Sequence, residues 1–141
     1  LKVFHAVEID RYGIQDEWAL VARDVLPYLD VLPDFIGLSL WPAKGGEVVE
    51  SFRRVQDWTG LPAYRFFIAE VGMREREIGD QYDRIMQVVP PLFDMGLSFA
   101  LVWSLEQSSE NQYTLHALVD PVTGEYRSGM AAIEKLNKIY K

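Results

Sequence analysis

Four times along this chain a short apolar run gives way to a stretch with helical spacing. That alternation restricts the chain to an α/β architecture with parallel strands, because each strand needs a long crossover to bring the chain back to the same end of the sheet. The first run is Val3 to Ile9, and after it Trp18, Val21, Ala22, Val25 and Leu29 recur at helical spacing. The second is Phe35 to Trp41. It is followed by a helix beginning after Gly45-Gly46, with Val48, Phe52 and Val55 on one face and Gly60 as its stop. The third is Phe66 to Val71, and its helix is expected over Asp80 to Met95, with Tyr82, Ile85, Met86, Val89 and Leu92 inward. Pro90-Pro91 is expected to kink that helix or split it. The fourth run is Leu97 to Leu105. Tyr113 to Val119 then reads as either a short extra strand or an irregular return, and Asp120 to Gly124 as a turn. A last helix carries Met130, Ile133, Leu136 and Ile139 inward, with Lys135, Lys138 and Lys141 at its negative end.

Four β-α units with parallel strands make one domain over residues 1–141, and they are half of what closes a (β/α)8, or TIM, barrel. A complete barrel takes roughly 250 residues. An isolated half leaves two unpaired strand edges and an open apolar inner face. The expectation is therefore a half-barrel closed by a missing N-terminal half or by a second copy of the chain. The chain opens at Leu1, directly on a β-like run and without an initiator Met, and so reads as a piece of a longer protein.

Composition removes several classes of function. The net charge of −7 and a pI near 4.8 argue against nucleic acid or an anionic membrane as partner, since both require a basic face. No segment approaches the roughly 18 unbroken apolar residues of a membrane span. The absence of cysteine excludes disulfides, thiolate metal sites and a Cys nucleophile, and leaves the compartment open. No strand-end lysine is available for Schiff-base chemistry. His5 and His116 lie in different regions without ligand spacing, so no metal is expected, nor any cofactor.

Glu70 stands out against this background. Phe66-Phe-Ile-Ala runs straight into its carboxylate, at the end of a strand that reads as buried. In a parallel barrel, strand C-terminal ends carry the chemistry. The structural alternative is an ion pair with Arg65, Arg74 or Arg76. On the second run, alternation puts Gly37, Ser39 and Trp41 on one face and Ile36, Leu38 and Leu40 on the other. The small set suits a barrel interior and the aliphatic set the sheet-helix layer. On the fourth run Phe99, Leu101 and Trp103 share a face, opposite Ala100, Val102 and Ser104. His5 and Glu8 fall on opposite faces of the first run, so at most one of them faces inward. Glu75 and Glu77 read as carboxylates of a solvated loop, with a role at the rim in binding substrate hydroxyls as the alternative, and Glu106 reads as a loop carboxylate or one facing the cleft.

Taken in order, these segments resemble strands five to eight of a retaining glycoside hydrolase of the two-glutamate (β/α)8 clan, over essentially the whole chain. Pro33-Asp-Phe-Ile-Gly-Leu-Ser-Leu-Trp-Pro42 is similar to the family's sixth strand, with Trp41 where Tyr is usual. Phe67-Ile-Ala-Glu-Val-Gly72 is similar to the seventh, whose terminal Glu is the nucleophile. Ala100-Leu-Val-Trp-Ser-Leu105 is similar to the eighth, and Asp120-Pro-Val-Thr-Gly124 to the D-x-x-T-G turn before the last helix. The resemblance implies that Glu70 is the nucleophile and that Trp103 and Trp41 stack on sugar rings in the cleft. It also implies that a polar contact to the nucleophile or the substrate comes from His5 or Glu8 on strand five, and that Ser39 contributes to substrate binding. The family's Asn-Glu acid/base does not occur here, so that carboxyl would lie upstream of Leu1. The expected activity is hydrolysis of a β-linked oligo- or polysaccharide, catalytically incomplete in this segment alone. The alternative is a non-catalytic half-barrel serving as a carbohydrate-binding or assembly module.

Overall fold

A computed structural model of the chain describes residues 4–9, 28, 30, 33–40, 45–72, 79–102 and 117–141, with the backbone alone at 4–9, 40 and 45–47. Its centre is a four-stranded parallel sheet of β1 (Phe4–Ile9), β2 (Phe35–Leu40), β3 (Phe66–Val71) and β4 (Ala100–Val102). The strands lie in chain order, β1-β2-β3-β4, and every pairing is parallel. Helix α1 (Gly45–Thr59) connects β2 to β3, and α2 (Asp80–Asp94) connects β3 to β4. Helix α3 (Ser128–Ile139) closes the described chain. The fold is α/β. The helical stretch read between β1 and β2 lies outside the described residues, apart from Tyr28 and Asp30.

All three helices share one core with one face of the sheet. Ile36 and Leu38 of β2 and Phe66, Ile68 and Val71 of β3 are buried with Val48, Phe52 and Val55 of α1. Ile85, Val88, Val89 and Leu92 of α2 and Ala132 and Leu136 of α3 complete the cluster. This confirms Ile36 and Leu38 as members of the sheet-helix layer. Phe52 meets Phe66 edge to face, ring centroids 5.1 Å apart, a favoured aromatic geometry at the centre of that layer. The opposite face of the sheet holds exposed apolar groups: Phe99 is 42% and Leu101 53% accessible. No helix among the described residues is long and apolar enough to cross a membrane.

The helix ends follow local chemistry. Gly60 terminates α1 as expected, at φ 65°, with its N–H on the Gln56 carbonyl at 2.8 Å. Gly45 and Gly46, expected to precede α1, belong to it. Helix α2 runs from Asp80 to Asp94 through Pro90-Pro91, so of the two expected outcomes, a kink or a split, the split does not occur. The two prolines remove only bonds to the Met86 and Gln87 carbonyls, close to the C-terminus, while Val88, Val89 and Leu92 around them are buried. Gly96 (φ 98°) then ends the helix in a Schellman arrangement, Gly96 N–H to Phe93 O and Leu97 N–H to Leu92 O. That turn occupies Gly96 and Leu97, so β4 starts only at Ala100, although Ser98 N–H already reaches Phe66 O and Phe99 O accepts from Ile68 N–H.

Helix α3 buries Leu136 as expected but otherwise corrects the inward set. Gly129, Ala132 and Leu136 are buried and Tyr140 is half-buried, while Ile139 is 56% exposed. Close approach selects the small residues: a Cβ on Gly129 would stand 2.6 Å from Leu118 Cδ2 and 2.9 Å from Gln81 Oε1. Gln81, buried, donates through Nε2 to Ala117 O (3.1 Å) and accepts the Gly129 N–H (3.3 Å). Ser128 Oγ accepts the Tyr82 N–H at 3.1 Å. Neither helix is capped by the side chain of its own N-cap residue. Each first turn instead receives an acceptor from the other helix, which satisfies donors a buried helix start would leave open.

Ahead of α3, Asp120 organises the expected turn. Its Oδ1 accepts Val122 N–H (2.9 Å) and Thr123 N–H (3.1 Å), and its Oδ2 takes Arg127 Nη2 at 2.9 Å. Val119 and Tyr126 form a single antiparallel bridge across this turn. Of the segment from Tyr113, residues 113–116 lie outside the described residues.

Candidate active site

Glu70 sits one residue before the C-terminal end of β3. Strict alternation from Phe66 and Ile68 would send its side chain into the helix layer. The ladder prevents this. Leu38 pairs with Ile68 but Ser39 pairs with Glu70, so β3 spends two residues where β2 spends one. On the other side Ile68 pairs with Ala100 and Val71 with Val102, three steps against two. Both neighbours therefore place one extra residue in β3 at Ala69-Glu70, a β-bulge. Beyond it Val71, 1% exposed, takes the core position. Its predecessor Glu70 faces the other way, half-buried, on the side of Ser39. Ala69 lies on that side too, because a Cβ on Gly37 would come within 2.8 Å of Ala69 Cβ.

This inner face is built from small and aromatic groups. Gly37 is buried, and its missing side chain leaves room for Phe67, whose Cζ would be 2.7 Å from a Cβ there. Phe67 stacks on Phe99, ring centroids 4.5 Å apart and planes 19° from parallel. Ser39 is 8% exposed and stands beside Glu70 in the register. One half-buried carboxylate, one buried hydroxyl and an aromatic pair thus share the face on which no helix of the described residues packs. Sequence inspection had not singled out the Phe67–Phe99 pair. The signal was present, since Gly37 interrupts an otherwise bulky strand opposite it.

The register also sorts the β1 candidates. His5 pairs with Ile36 and Glu8 with Ser39. Glu8, Ser39 and Glu70 thus occupy one row across three strands, while His5 stands in the row of Ile36 and Phe66. Arg65, one of the ion-pair partners considered for Glu70, lies at the opposite end of β3. It donates through Nη2 to Pro33 O at 2.6 Å and through Nε to Asp34 O. Arg74, Arg76, Trp41 and Trp103 lie outside the described residues, as do Glu75, Glu77, Glu106 and His116.

Electrostatics elsewhere are structural. The Arg127 guanidinium, followed by the Val122 and Thr123 amides, holds the Asp120 carboxyl down to about 2. Burial, together with the neighbouring Asp94 carboxylate that accepts its O–H at 2.8 Å, pushes the Tyr140 phenol up. Among the described residues no group of three or more His, Asp and Glu is placed to hold a metal ion.

Compared with protein-family models, curated proteins and solved structures, the chain matches none.

Proposed function

We propose that the chain is the C-terminal half of a (β/α)8-barrel retaining glycoside hydrolase, strands five to eight, with Glu70 as the nucleophile. The observation that carries this proposal is the bulge that turns Glu70 out of the core and onto the inner face, at the C-terminal end of a parallel strand. Chemistry in such barrels gathers at strand C-terminal ends. The sequential strand order supports the barrel reading, since a doubly wound sheet would reverse its order.

In the proposed reaction a Glu70 oxygen attacks the anomeric carbon of a β-linked sugar. A carboxylic acid from the other half of the barrel protonates the departing glycosidic oxygen. The resulting glycosyl ester on Glu70 is then hydrolysed by a water from which the same carboxylate takes a proton. Retention requires the two carboxyl groups about 5–5.5 Å apart. Trp103 and Trp41 would present aromatic faces to sugar C–H groups. Glu8, Ser39 and His5 are the remaining candidates for polar contacts with the substrate. The other four β-α units, from an upstream segment or a second copy, would cover Phe99 and Leu101 and close the sheet. No cofactor or metal takes part.

The test is covalent labelling by activated 2-deoxy-2-fluoro glycosides, read by intact and peptide mass, with the upstream sequence restored. A mass gain on the peptide containing Glu70, absent in Glu70→Gln, is the expected result, together with a loss of turnover in that variant on the order of 10⁴-fold. A folded protein that binds oligosaccharide yet takes no label from any of several sugars would favour the non-catalytic binding module instead.

A further inference from the structure

We propose that Arg127 couples the Asp120 turn to the first turn of α2, so that this turn and the junction between α2 and α3 loosen together. The link runs through one carbonyl. Ala117 O accepts from Gln81 Nε2 of α2 at 3.1 Å and from Arg127 Nη1, just ahead of α3, at 3.4 Å. The other arm of the guanidinium, Nη2, donates to Asp120 Oδ2 at 2.9 Å. On the far side Gln81 Oε1 accepts the Gly129 N–H at 3.3 Å, which carries the chain of bonds into α3. Asp120 and Gln81 thus meet through a guanidinium and a shared acceptor.

Groups that share a shielded hydrogen-bond network depend on one another. The middle of this one is shielded, with Gln81 1% and the Arg127 side chain 11% exposed. Arginine suits the position because its planar fork serves two acceptors at once in a fixed geometry. The backbone on either side is also closed. Arg127 N–H donates to Leu118 O at 2.8 Å, and a Cβ on Gly129 would stand 2.6 Å from Leu118 Cδ2, so residues 117 and 118 cannot shift without moving the start of α3. Helix α2 is the crossover from β3 to β4, so its first turn belongs to the end of the sheet at which β3 finishes, the end that carries Glu70. Any effect on turnover rests on the hydrolase proposal, whereas the coupling itself does not.

The experiment is a double-mutant cycle of Asp120→Asn and Gln81→Ala in the intact protein, read by urea unfolding and repeated in an Arg127→Met background. Asp120→Asn keeps an Oδ1 acceptor for the Val122 and Thr123 amides and withdraws the charge from Arg127. With Arg127 present, the double variant should depart from additivity by at least about twofold in the unfolding equilibrium constant, the size expected of residues in one network. In Arg127→Met, which keeps an unbranched stem and removes both donors, the departure should vanish. Additivity with Arg127 present would overturn the proposal. So would a departure that survives in Arg127→Met, since it would assign the transmission to the backbone of residues 117–120. If Gln81→Ala does not fold, hydrogen exchange of the Gly129 amide in Asp120→Asn gives the answer, read against the Ile68 amide bonded to Phe99 O in the sheet. Gly129 should accelerate by at least about twofold more than Ile68, and an equal change at the two would reject the coupling.

Discussion

Two side chains of β3, Phe67 and Ala69, converge on the space above Gly37, and a Cβ would meet both below 3 Å. Gly37→Val should therefore push the Phe67 ring off Phe99 and cost roughly 1–3 kcal/mol, as overpacking does, read as a lower urea midpoint at unchanged slope. Asp120 gives a prediction in pH. Its folded value, about 2, lies below the unfolded 3.8, so the ionised carboxylate contributes stability that is complete above the unfolded value. That contribution is lost as pH falls from 4 toward 2. Asp120→Asn should show a shallower loss of stability across that window than wild type, measured by denaturant midpoints at each pH. At this scale the alternation Gly37-Ser39 against Ile36-Leu38 was legible in sequence because β2 is regular over those residues. The side taken by Glu70 was not, because parity alone sends it into the core and only the pairing with two neighbours reveals the extra residue.

The N-termini of α2 and α3 hold one another. Gln81→Ala would leave the buried Gly129 N–H without its partner and the Ala117 carbonyl with only the longer bond from Arg127 Nη1 at 3.4 Å, at about 1–3 kcal/mol. Ser128→Ala removes the cap on Tyr82 N–H, at about 1 kcal/mol. Because the two residues sit in one node, the double variant should depart from additivity by at least about 0.5 kcal/mol in a double-mutant cycle. Additive losses would mean that the two caps act independently. Patterns of large apolar residues could not expose this node. Gly129 and Ala132 form the buried stripe of α3 although neither is bulky, and Gln81 is polar, whereas Ile139 fits an apolar period and is exposed. That α2 does not split at Pro90-Pro91 escaped the sequence pattern for a related reason. A proline rule weighs the lost backbone bonds and not the buried side chains that keep the turn in place.

The described residues make one layer of parallel strands with their helices packed on one face. That much followed from runs of strand length separated by helical periods, since nearest-neighbour crossovers of this length give little other choice. Phe99 and Leu101 on the bare side lend themselves to a test. A variant carrying Phe99→Ser and Leu101→Lys should lower self-association of the chain in sedimentation velocity. Stability should fall by only roughly 0.5–1.5 kcal/mol, the worth of the Phe67–Phe99 stack, because both groups are otherwise exposed. A large loss of stability with unchanged association would place these side chains in a packed core.

The extra residue in β3 also has a bearing on how such a strand tolerates change. Upstream of Ala69 the even positions 66 and 68 pack in the core with the helices; downstream the odd position 71 takes over. A saturation scan should accordingly find intolerance to polar residues at 66, 68 and 71, with tolerance of charge at 70, a phase jump in the middle of six residues. A deletion of Ala69 would bring the two halves into phase while leaving Glu70 opposite Ser39. In a strand like this, the gain or loss of a single codon changes the rhythm of the backbone without moving the carboxylate out of its row.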